Sequence, residues 1–285
     1  MREWFAMLMA AVVSFSAAGT VCAGQTQTPE TGRDTRMQEE NETEAQTEAE
    51  EKGEGVMTYQ EFLNAGVDDE VTIEAYVQGI QAWYEKNEDA GIPTCTAYLQ
   101  DNDGGYFCYD MQCPEADYKK LTVGTKIRVT GYKAEVAGET EIVDANFEIL
   151  EAEAYIAVPV DVTNYLSDET VLKQYQNQKA AFRGMKVEKT QDYPQDQTES
   201  ETQEDPAAAE LYSPNQENGR GSVLYFTASK GSEECTFAVL SWLVGENSPV
   251  YQTARKLKSG STVDLEGFLC WDETAMPHLT SVTVR

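Results

Sequence analysis

The sequence predicts a mainly β protein with two five-stranded Greek-key barrels in tandem, each with a short helix between its third and fourth strands. Two observations predict this: the same order of elements occurs twice, and a weak repeat relates the two halves. Residues 121–132 (LTVGTKIRVTGY) match residues 257–268 (LKSGSTVDLEGF), which begin 136 residues later. Each copy has a turn glycine, an alternating apolar strand and a glycine typical of a bulge, and so long a period indicates domain duplication. The residues expected inside the barrels are Ile127, Val129, Val263 and Leu265, with equivalent bends at Gly131 and Gly267.

Residues 1–23 have the parts of a secretory signal peptide. A basic residue near the start precedes an apolar core that is short for a membrane span, and a small-x-small exit ends at Ala23. We expect cleavage after Ala23, and the alternative is lipid attachment at Cys22, the arrangement of bacterial lipoproteins. The protein is therefore expected to be secreted or attached to the outer face of the cell envelope. Membrane contact is expected only through such an N-terminal lipid.

The formal net charge is −29, and it is unevenly distributed. Residues 24–56 are acidic and poor in apolar side chains, which predicts a disordered tether. The first folded half, residues 57–150, carries a net charge of −12, whereas the second half outside its acidic insertion carries −3. Such a field repels polyanions, so nucleic acid is not expected as a partner.

The first barrel is expected within residues 57–150. Thr58 followed by Glu61 is the capping-box pattern of a short leading helix. An aspartate- and glycine-rich turn at 101–105 joins two strands as a hairpin. The strands are expected at 71–77, 94–99, 106–111, 127–131 and 139–150, with a proline-initiated helix at 114–121.

The second barrel is expected within residues 151–285 and repeats this order. Ser248 and Pro249 predict the start of its helix, at 248–257. An acidic, proline-containing stretch at about 190–221 separates its first two strands and predicts a disordered loop. The strands are expected at 180–187, 222–227, 235–243, 263–268 and 279–284, after a helical lead-in at 161–173.

With this element order the chain resembles the OB-fold, twice. The first copy carries the resemblance in four segments, at 98–101 (YLQD), 105–107 (GYF), 118–121 (YKKL) and 124–131 (GTKIRVTG). More narrowly, it is similar to exported OB-fold domains of Gram-positive bacteria that follow a signal peptide and an acidic tether. The resemblance implies a ligand face on strands two and three, flanked by the loop between strands one and two. It implies no particular ligand, because the fold hosts many.

Aromatic side chains are the candidate ligand contacts, because exposed rings on this face stack on bases or sugars. Strand alternation sends about half of such rings into the barrel core instead. Trp83 and Tyr84 fall in the loop after the first strand and are the rings most expected at the surface. The candidate ligand-binding residues are Trp83, Tyr84, Tyr98 and Tyr106 in the first barrel and Tyr225 and Trp242 in the second.

No catalytic constellation, cofactor motif or metal-ligand spacing is present in the sequence. His278 is the single histidine, and no nucleophile motif accompanies it. Residues 101–104 (DNDG) superficially match a calcium loop but lack its later ligands, so a turn is favoured. We therefore expect a non-catalytic binding module with no cofactor, whose ligand is an envelope carbohydrate, peptide or protein. The alternative is a protein that binds single-stranded nucleic acid, and an enzyme ranks third.

Five cysteines remain if Cys22 leaves with the signal peptide or carries a lipid. An odd number in an exported protein leaves at least one thiol outside intramolecular pairs. None has the CxxC spacing of a zinc or redox site. The sequence leaves open which of them pair, if any: Cys95, Cys108, Cys113, Cys235 and Cys270.

Overall fold

The computed structural model describes residues 52–85, 91–190 and 221–285, which hold both predicted barrels. Both barrels belong to one compact unit. The predicted signal peptide, almost all of the tether and most of the acidic insertion lie outside the described residues. Within the described residues, no helix is long and apolar enough to cross a membrane.

Barrel 1 is closed, with the strand order β1-β2-β3-β5-β4. The leading helix begins with the predicted capping box: the Thr58 hydroxyl accepts the Glu61 backbone N–H, and the Glu61 carboxylate accepts the Thr58 backbone N–H. The elements are α1 (Tyr59–Asn64), β1 (Glu70–Ile80), β2 (Thr94–Gln100), β3 (Gly105–Gln112), α2 (Glu115–Tyr118), β4 (Lys126–Val136) and β5 (Glu139–Ile149).

Barrel 2 has the strand order β7-β8-β9-β13-β10, and β10 pairs with β7 to close it. Helix α5 is capped by the Ser248 hydroxyl, as predicted. The elements are β6 (Val160–Asp161), a 3₁₀ turn (Thr163–Tyr165), α3 (Glu169–Lys173), β7 (Lys179–Thr190), β8 (Val223–Lys230), β9 (Glu233–Leu240), α4 (Ser241–Val244), α5 (Pro249–Ala254), β10 (Thr262–Phe268), β11 (Trp271–Asp272), β12 (Thr274–Ala275) and β13 (His278–Val284).

The internal repeat occupies equivalent strands, β4 and β10, which confirms the predicted tandem architecture. Its four predicted inward residues have no exposed surface: Ile127 and Val129 lie in the core of barrel 1, and Val263 and Leu265 in the core of barrel 2. The pairing register shifts beside Gly131 in β4 and between Glu266 and Gly267 in β10, so both glycines lie at bulges.

Two features differ from the sequence expectation. The third strand of barrel 2 ends at Leu240 rather than at 243, because the chain turns there into α4 and Gly245, with φ +84°, ends that helix. The loop between β10 and β13 contains a small hairpin of β11 and β12, which alternation over two-residue strands cannot reveal. Both features lie where the two barrels meet.

Candidate ligand-binding faces

Each barrel has one outer surface formed by its first three strands, and the resemblance predicts ligand binding there. We call the outer surface of β1, β2 and β3 face 1, and that of β7, β8 and β9 face 2. The two faces differ in their accessibility to a ligand, because barrel 2 covers face 1.

Face 1 is covered by aromatic packing between the barrels. The Tyr98 ring on β2 stacks on the Phe268 ring at the end of β10, with 4.2 Å between centroids and an interplanar angle of 10°. Phe107 and Cys270 complete a small apolar cluster around this pair. Tyr98 has no exposed surface, so the site where a base or sugar would stack is occupied by a side chain of barrel 2.

Two glycines of barrel 1 make this close approach possible. A Cβ on Gly79 would lie 2.7 Å from the Phe268 ring, which is closer than real Cβ contacts. A Cβ on Gly105 would collide with the backbone of Asn177 in the segment before β7. The chain thus has glycine where the two barrels touch most closely.

A buried polar chain accompanies the stacked rings. The Gln81 side-chain amide donates to the Tyr98 hydroxyl at 2.8 Å, and that hydroxyl lies 2.8 Å from His278 Nδ1. Burial lowers the pKa of His278 to about 4, so the imidazole is neutral at pH 7. A neutral ring can accept at Nδ1 the proton that the Tyr98 hydroxyl donates. His278 therefore joins the barrels, and its contacts are those of a structural residue.

A buried carboxylate forms a second polar link between the barrels. The Glu139 side chain at the start of β5 accepts the backbone N–H of Trp271 at 2.6 Å. Burial raises the pKa of Glu139 to about 7, partly offset by this hydrogen bond, by Asn177 and Gln176, and by the nearby Lys173. Lys173 also lies over the Trp271 ring, 4.3 Å from its centroid.

Main-chain groups complete the contact between barrels. The backbone N–H of Ala82 donates to the carbonyl of Trp242 at 2.7 Å. The Gln100 side-chain oxygen accepts the backbone N–H of Lys179 at 2.8 Å. These bonds satisfy polar backbone groups that the contact takes from water, as a stable buried interface requires.

Two of the rings of barrel 1 that we predicted to bind a ligand, Tyr98 and Tyr106, are not accessible to one. Tyr98 is enclosed by barrel 2, and Tyr106 lies inside barrel 1 against Phe62, with 5.1 Å between centroids. Neither ring offers a surface to a ligand in this conformation. Trp83 is half-buried against the core and donates its indole N–H to the Cys113 carbonyl at 2.8 Å. Tyr84 is half-buried and pairs with Thr94 in a backbone bridge.

Face 2 carries polar side chains in cross-strand rows. Lys189 on β7 lies opposite Thr227 on β8, which lies opposite Thr236 on β9. In the next row, Lys186 lies opposite Ser229, which lies opposite the exposed Glu234 on β9. Since directly paired residues project from the same side of a sheet, these side chains share the outer surface. Lys186 and Lys189 are both exposed.

The remaining predicted rings lie along barrel 2. Tyr225 lies on β8 two residues before Thr227, so the two side chains project from the same side of the sheet. Tyr225 is half-buried, as is Trp242 in α4. Burial and the nearby Asp272 raise the pKa of Tyr225, so its hydroxyl is neutral at pH 7. A groove of about 360 Å³ runs beside these strands, between the Thr227–Thr236 row and the β12 residues Thr274 and Ala275.

Face 2 also carries acidic groups that limit its positive charge. The Lys186 ammonium lies 3.0 Å from the Glu188 carboxylate, which also accepts the Ser229 hydroxyl at 2.6 Å. Lys189 therefore supplies the less compensated cation of the described face. Sequence reasoning missed Lys186, Lys189, Thr227 and Thr236, because only the strand register assigns them to one surface.

No family model matches the chain, and no curated protein does. Solved structures do match. A murine DNA-binding protein bound with double-stranded DNA is 13% identical, with a TM-score of 0.32, over 75% of this chain and 97% of that one. A replication protein A heterotrimer bound to single-stranded DNA is 12% identical, with a TM-score of 0.30, over 76% and 49% of the two chains. A deletion mutant of the single-stranded DNA-binding protein from Thermus aquaticus is 11% identical, with a TM-score of 0.23, over 76% and 93%.

These comparisons contradict two expectations from the sequence. We expected a carbohydrate, peptide or protein ligand and did not expect nucleic acid as a partner, whereas the ligand named for these structures is DNA. Both expectations are wrong on this finding. The charge argument summed whole halves of the chain, although a ligand meets the local field of one face. At TM-scores of 0.32 or less the likeness assigns no ligand to this chain, so its own residues must carry any proposal.

Proposed function

We propose that the protein is a non-catalytic nucleic-acid-binding protein that holds a single strand on face 2. One observation carries the proposal: face 2 aligns an aromatic ring, hydroxyl groups and two exposed lysines, whereas barrel 2 covers the equivalent face of barrel 1. An open strand face with these three kinds of group matches what an unpaired nucleotide offers, namely a base to stack, polar edges and a phosphate.

Each group on face 2 has a distinct role in the proposal. The Tyr225 ring stacks on a base, a contact that tolerates any sequence because every base has a π-face. The Thr236 hydroxyl hydrogen-bonds with a base edge or sugar, next to the Thr227 side chain, whose own hydroxyl oxygen is buried. Lys186 and Lys189 lie along the β7 edge and contact phosphates. A single strand is favoured over a duplex, because the bases of a duplex stack on each other.

The number of lysine contacts with phosphate sets the salt dependence of this binding. Two phosphate contacts by lysine predict a slope of about −1.4 for log affinity against log salt, at roughly 0.7 per contact with a single strand. Such a shallow slope means that stacking contributes much of the affinity. Glu188 next to Lys186 lowers the contribution of that lysine further.

The proposal is tested by fluorescence anisotropy of the full chain with a labelled oligothymidine at several salt concentrations. Tyr225→Ala should weaken binding roughly 5- to 150-fold, since a stacked base is worth about 1–3 kcal/mol. Lys189→Ala should reduce the salt slope by about 0.7. Matched controls on barrel 1 are Tyr132→Ala, an exposed ring on β4, and Lys119→Ala, an exposed lysine, and neither should change binding. Wild-type protein that fails to bind, or equal losses in the controls, would contradict the proposal.

The non-catalytic part of the proposal rests on the contacts of His278, the single histidine of the chain. His278 is half-buried at the contact between the barrels, and its ring lies 2.8 Å from the Tyr98 hydroxyl. Among the described residues, no group of three or more His, Cys, Asp or Glu side chains is arranged to hold a metal ion.

We further propose that the mature chain acts outside the cytoplasm, secreted or attached to the outer face of the envelope. The support is the sequence of residues 1–23, with cleavage after Ala23 or lipid attachment at Cys22. Mass spectrometry of the mature N-terminus tests it. A chain that begins at Gly24 supports secretion, a diacylglycerol on Cys22 supports the lipoprotein form, and an intact Met1 on cytoplasmic protein contradicts both.

A further inference from the structure

A second groove of barrel 2 lies between helix α5, the turn that leads into β10 and the end of β13. Its volume is about 330 Å³, at the lower end of the range of about 300–1,000 Å³ that ligand sites occupy. Lys256 and Lys258 line it, and Leu257 and Val284 give it an apolar wall. We call it the α5 groove.

The α5 groove is a local exception to the acidic character of the chain. Residues 249–263 hold three basic residues and no aspartate or glutamate, although the net charge of the chain is −29. Lys256 and Lys258 are exposed, and within the part of the chain that the structure describes neither forms an ion pair. The first carboxylate further along β10, that of Asp264, pairs with Arg285 at 2.9 Å. An anion that approaches this groove therefore meets a positive local field.

The other polar side chains of the α5 groove suit a phosphate and its sugar. Gln252, Thr253 and Ser261 add an amide and two hydroxyl groups to the two lysines, and no aspartate or glutamate lines the groove. Gln252 uses one amide proton on the Glu246 carbonyl at 2.8 Å, which leaves its second N–H proton for a ligand. Side chains of these types commonly contact the phosphate and sugar oxygens of nucleic acids.

The α5 groove is joined to the lysine edge of face 2 through strand pairing. The Gly260 backbone N–H, in the turn before β10, donates to the Val187 carbonyl of β7 at 2.7 Å. One position further, Lys186 lies opposite Thr262, and both are exposed. Because paired residues project from the same side of a sheet, the exposed surface continues from Lys186 across the start of β10 towards the groove.

We propose that the α5 groove binds the phosphates of the same single strand after it leaves face 2, an inference that rests on the proposed function. Lys189 and Lys186 contact phosphates on face 2, and Lys258 and Lys256 contact the next phosphates along the strand. The path stays on barrel 2 and avoids the more acidic barrel 1. Four phosphate contacts in place of two raise the slope of log affinity against log salt to about −2.8, at roughly 0.7 per contact.

The test measures this salt slope for the full chain with labelled oligothymidines of about 4 and about 12 nucleotides, within the roughly 4–16 nucleotides that one OB-fold covers. The shorter strand spans face 2 alone, and the longer one reaches the α5 groove. For the wild type we expect slopes of about −1.4 and about −2.8. The double variant Lys256→Ala/Lys258→Ala should bring the longer strand to about −1.4 and weaken its binding about 25-fold at about 0.1 M salt, with the shorter strand unchanged.

A matched control separates the groove from the total charge of the protein. Lys119→Ala/Lys120→Ala removes the same number of exposed lysines from barrel 1 and should leave both slopes unchanged. Acetylation of lysines in the wild type, followed by mass spectrometry, gives a readout that needs no variant. The longer strand should protect Lys256 and Lys258, whereas neither the shorter strand nor inorganic phosphate at the same phosphate concentration should protect them.

Four outcomes would overturn the proposal: equal slopes for the two strands in the wild type, a double variant that binds the longer strand like the wild type, an equal loss in the barrel 1 control, or protection of the groove lysines by inorganic phosphate alone. In each case, wild-type binding of the shorter strand still supports the proposed function. Wild-type protein that binds neither strand contradicts the proposed function, and this inference with it.

Discussion

Face 1 and face 2 are the same surface of the same fold, yet one is an interior contact and the other is open. On face 1, Tyr98 stacks on Phe268, and glycines at 79 and 105 let the barrels touch. On face 2, the equivalent strands present Tyr225 and rows of threonine and lysine. Duplication of the fold has therefore not duplicated the site. A surface suited to stack on a flat ring ligand can equally bind an aromatic side chain of the neighbouring domain.

The largest expected effect comes from removing the ring that covers face 1. Phe268→Ala should lower the free energy of unfolding by about 3–5 kcal/mol, the usual cost of truncating a buried phenylalanine. The two barrels should then unfold in separate steps in urea, followed by tryptophan fluorescence. Tyr132→Ala, at a ring that is 44% exposed, is the control and should cost about 0.5 kcal/mol or less.

The same variant tests whether face 1 is a hidden binding site. Even with Tyr98 uncovered, the carboxyl groups of Asp110 and Glu141 lie beside β2 and β3, so Phe268→Ala should gain no affinity for oligothymidine. A gain that Tyr98→Ala then abolishes would mean that the two faces are functional equivalents, and the contrast between them would fail.

The sequence predicted the barrels well because local patterns set them. The alternation in β4 and β10, the capping box at Thr58 and the serine cap at Ser248 each depend on a few neighbouring residues. Both predicted glycine bends are present for the same reason. The limits of the elements were less accurate where tertiary contacts decide them, as in the turn after Leu240.

The candidate site was predicted less well, because a site depends on which surfaces remain open. Alternation correctly gives Tyr98 an outward direction from barrel 1, but nothing local reveals that Phe268 arrives from 170 residues away to cover it. The row of Lys189, Thr227 and Thr236 depends on register between strands that a long insertion separates. The net charge summed over each half of the chain did not reveal this row either.

The second effect in size is a pH dependence that Glu139 gives to the contact between barrels. The pKa of Glu139 rises from 4.5 to about 7 on folding, so the folded state holds its proton more tightly than the unfolded state. Ionisation therefore costs stability: the cost is absent below pH 4.5 and is complete above pH 7. His278, whose folded pKa is lowered to about 4, acts in the opposite direction and costs stability as the pH falls from 6.5 to 4.

Glu139→Gln should remove this cost while its side-chain oxygen still accepts the Trp271 N–H. We expect the variant to exceed the wild type in unfolding free energy at pH 8 by up to about 3 kcal/mol, at 1.36 kcal/mol per pKa unit, and to match it at pH 4. Urea unfolding from pH 4 to 8 measures the difference. The exposed Glu148→Gln on the same strand is the control and should follow the wild type. A Glu139→Gln curve parallel to the wild type would mean that this carboxyl is not held neutral by burial.

The smallest expected effect comes from removing the hydrogen bonds of the Tyr98 hydroxyl while keeping the stacked rings of face 1. Tyr98→Phe keeps the ring on Phe268 but removes the hydroxyl that joins Gln81 and His278, which leaves one buried donor and one buried acceptor without that partner. The expected loss is roughly 1–3 kcal/mol of unfolding free energy, the cost of such unsatisfied groups. Tyr132→Phe, at an exposed ring, should cost almost nothing. If Tyr98→Phe is equally neutral, the hydrogen bonds of the Tyr98 hydroxyl add nothing measurable to the contact between the barrels, and the stacked ring is what distinguishes face 1 from face 2.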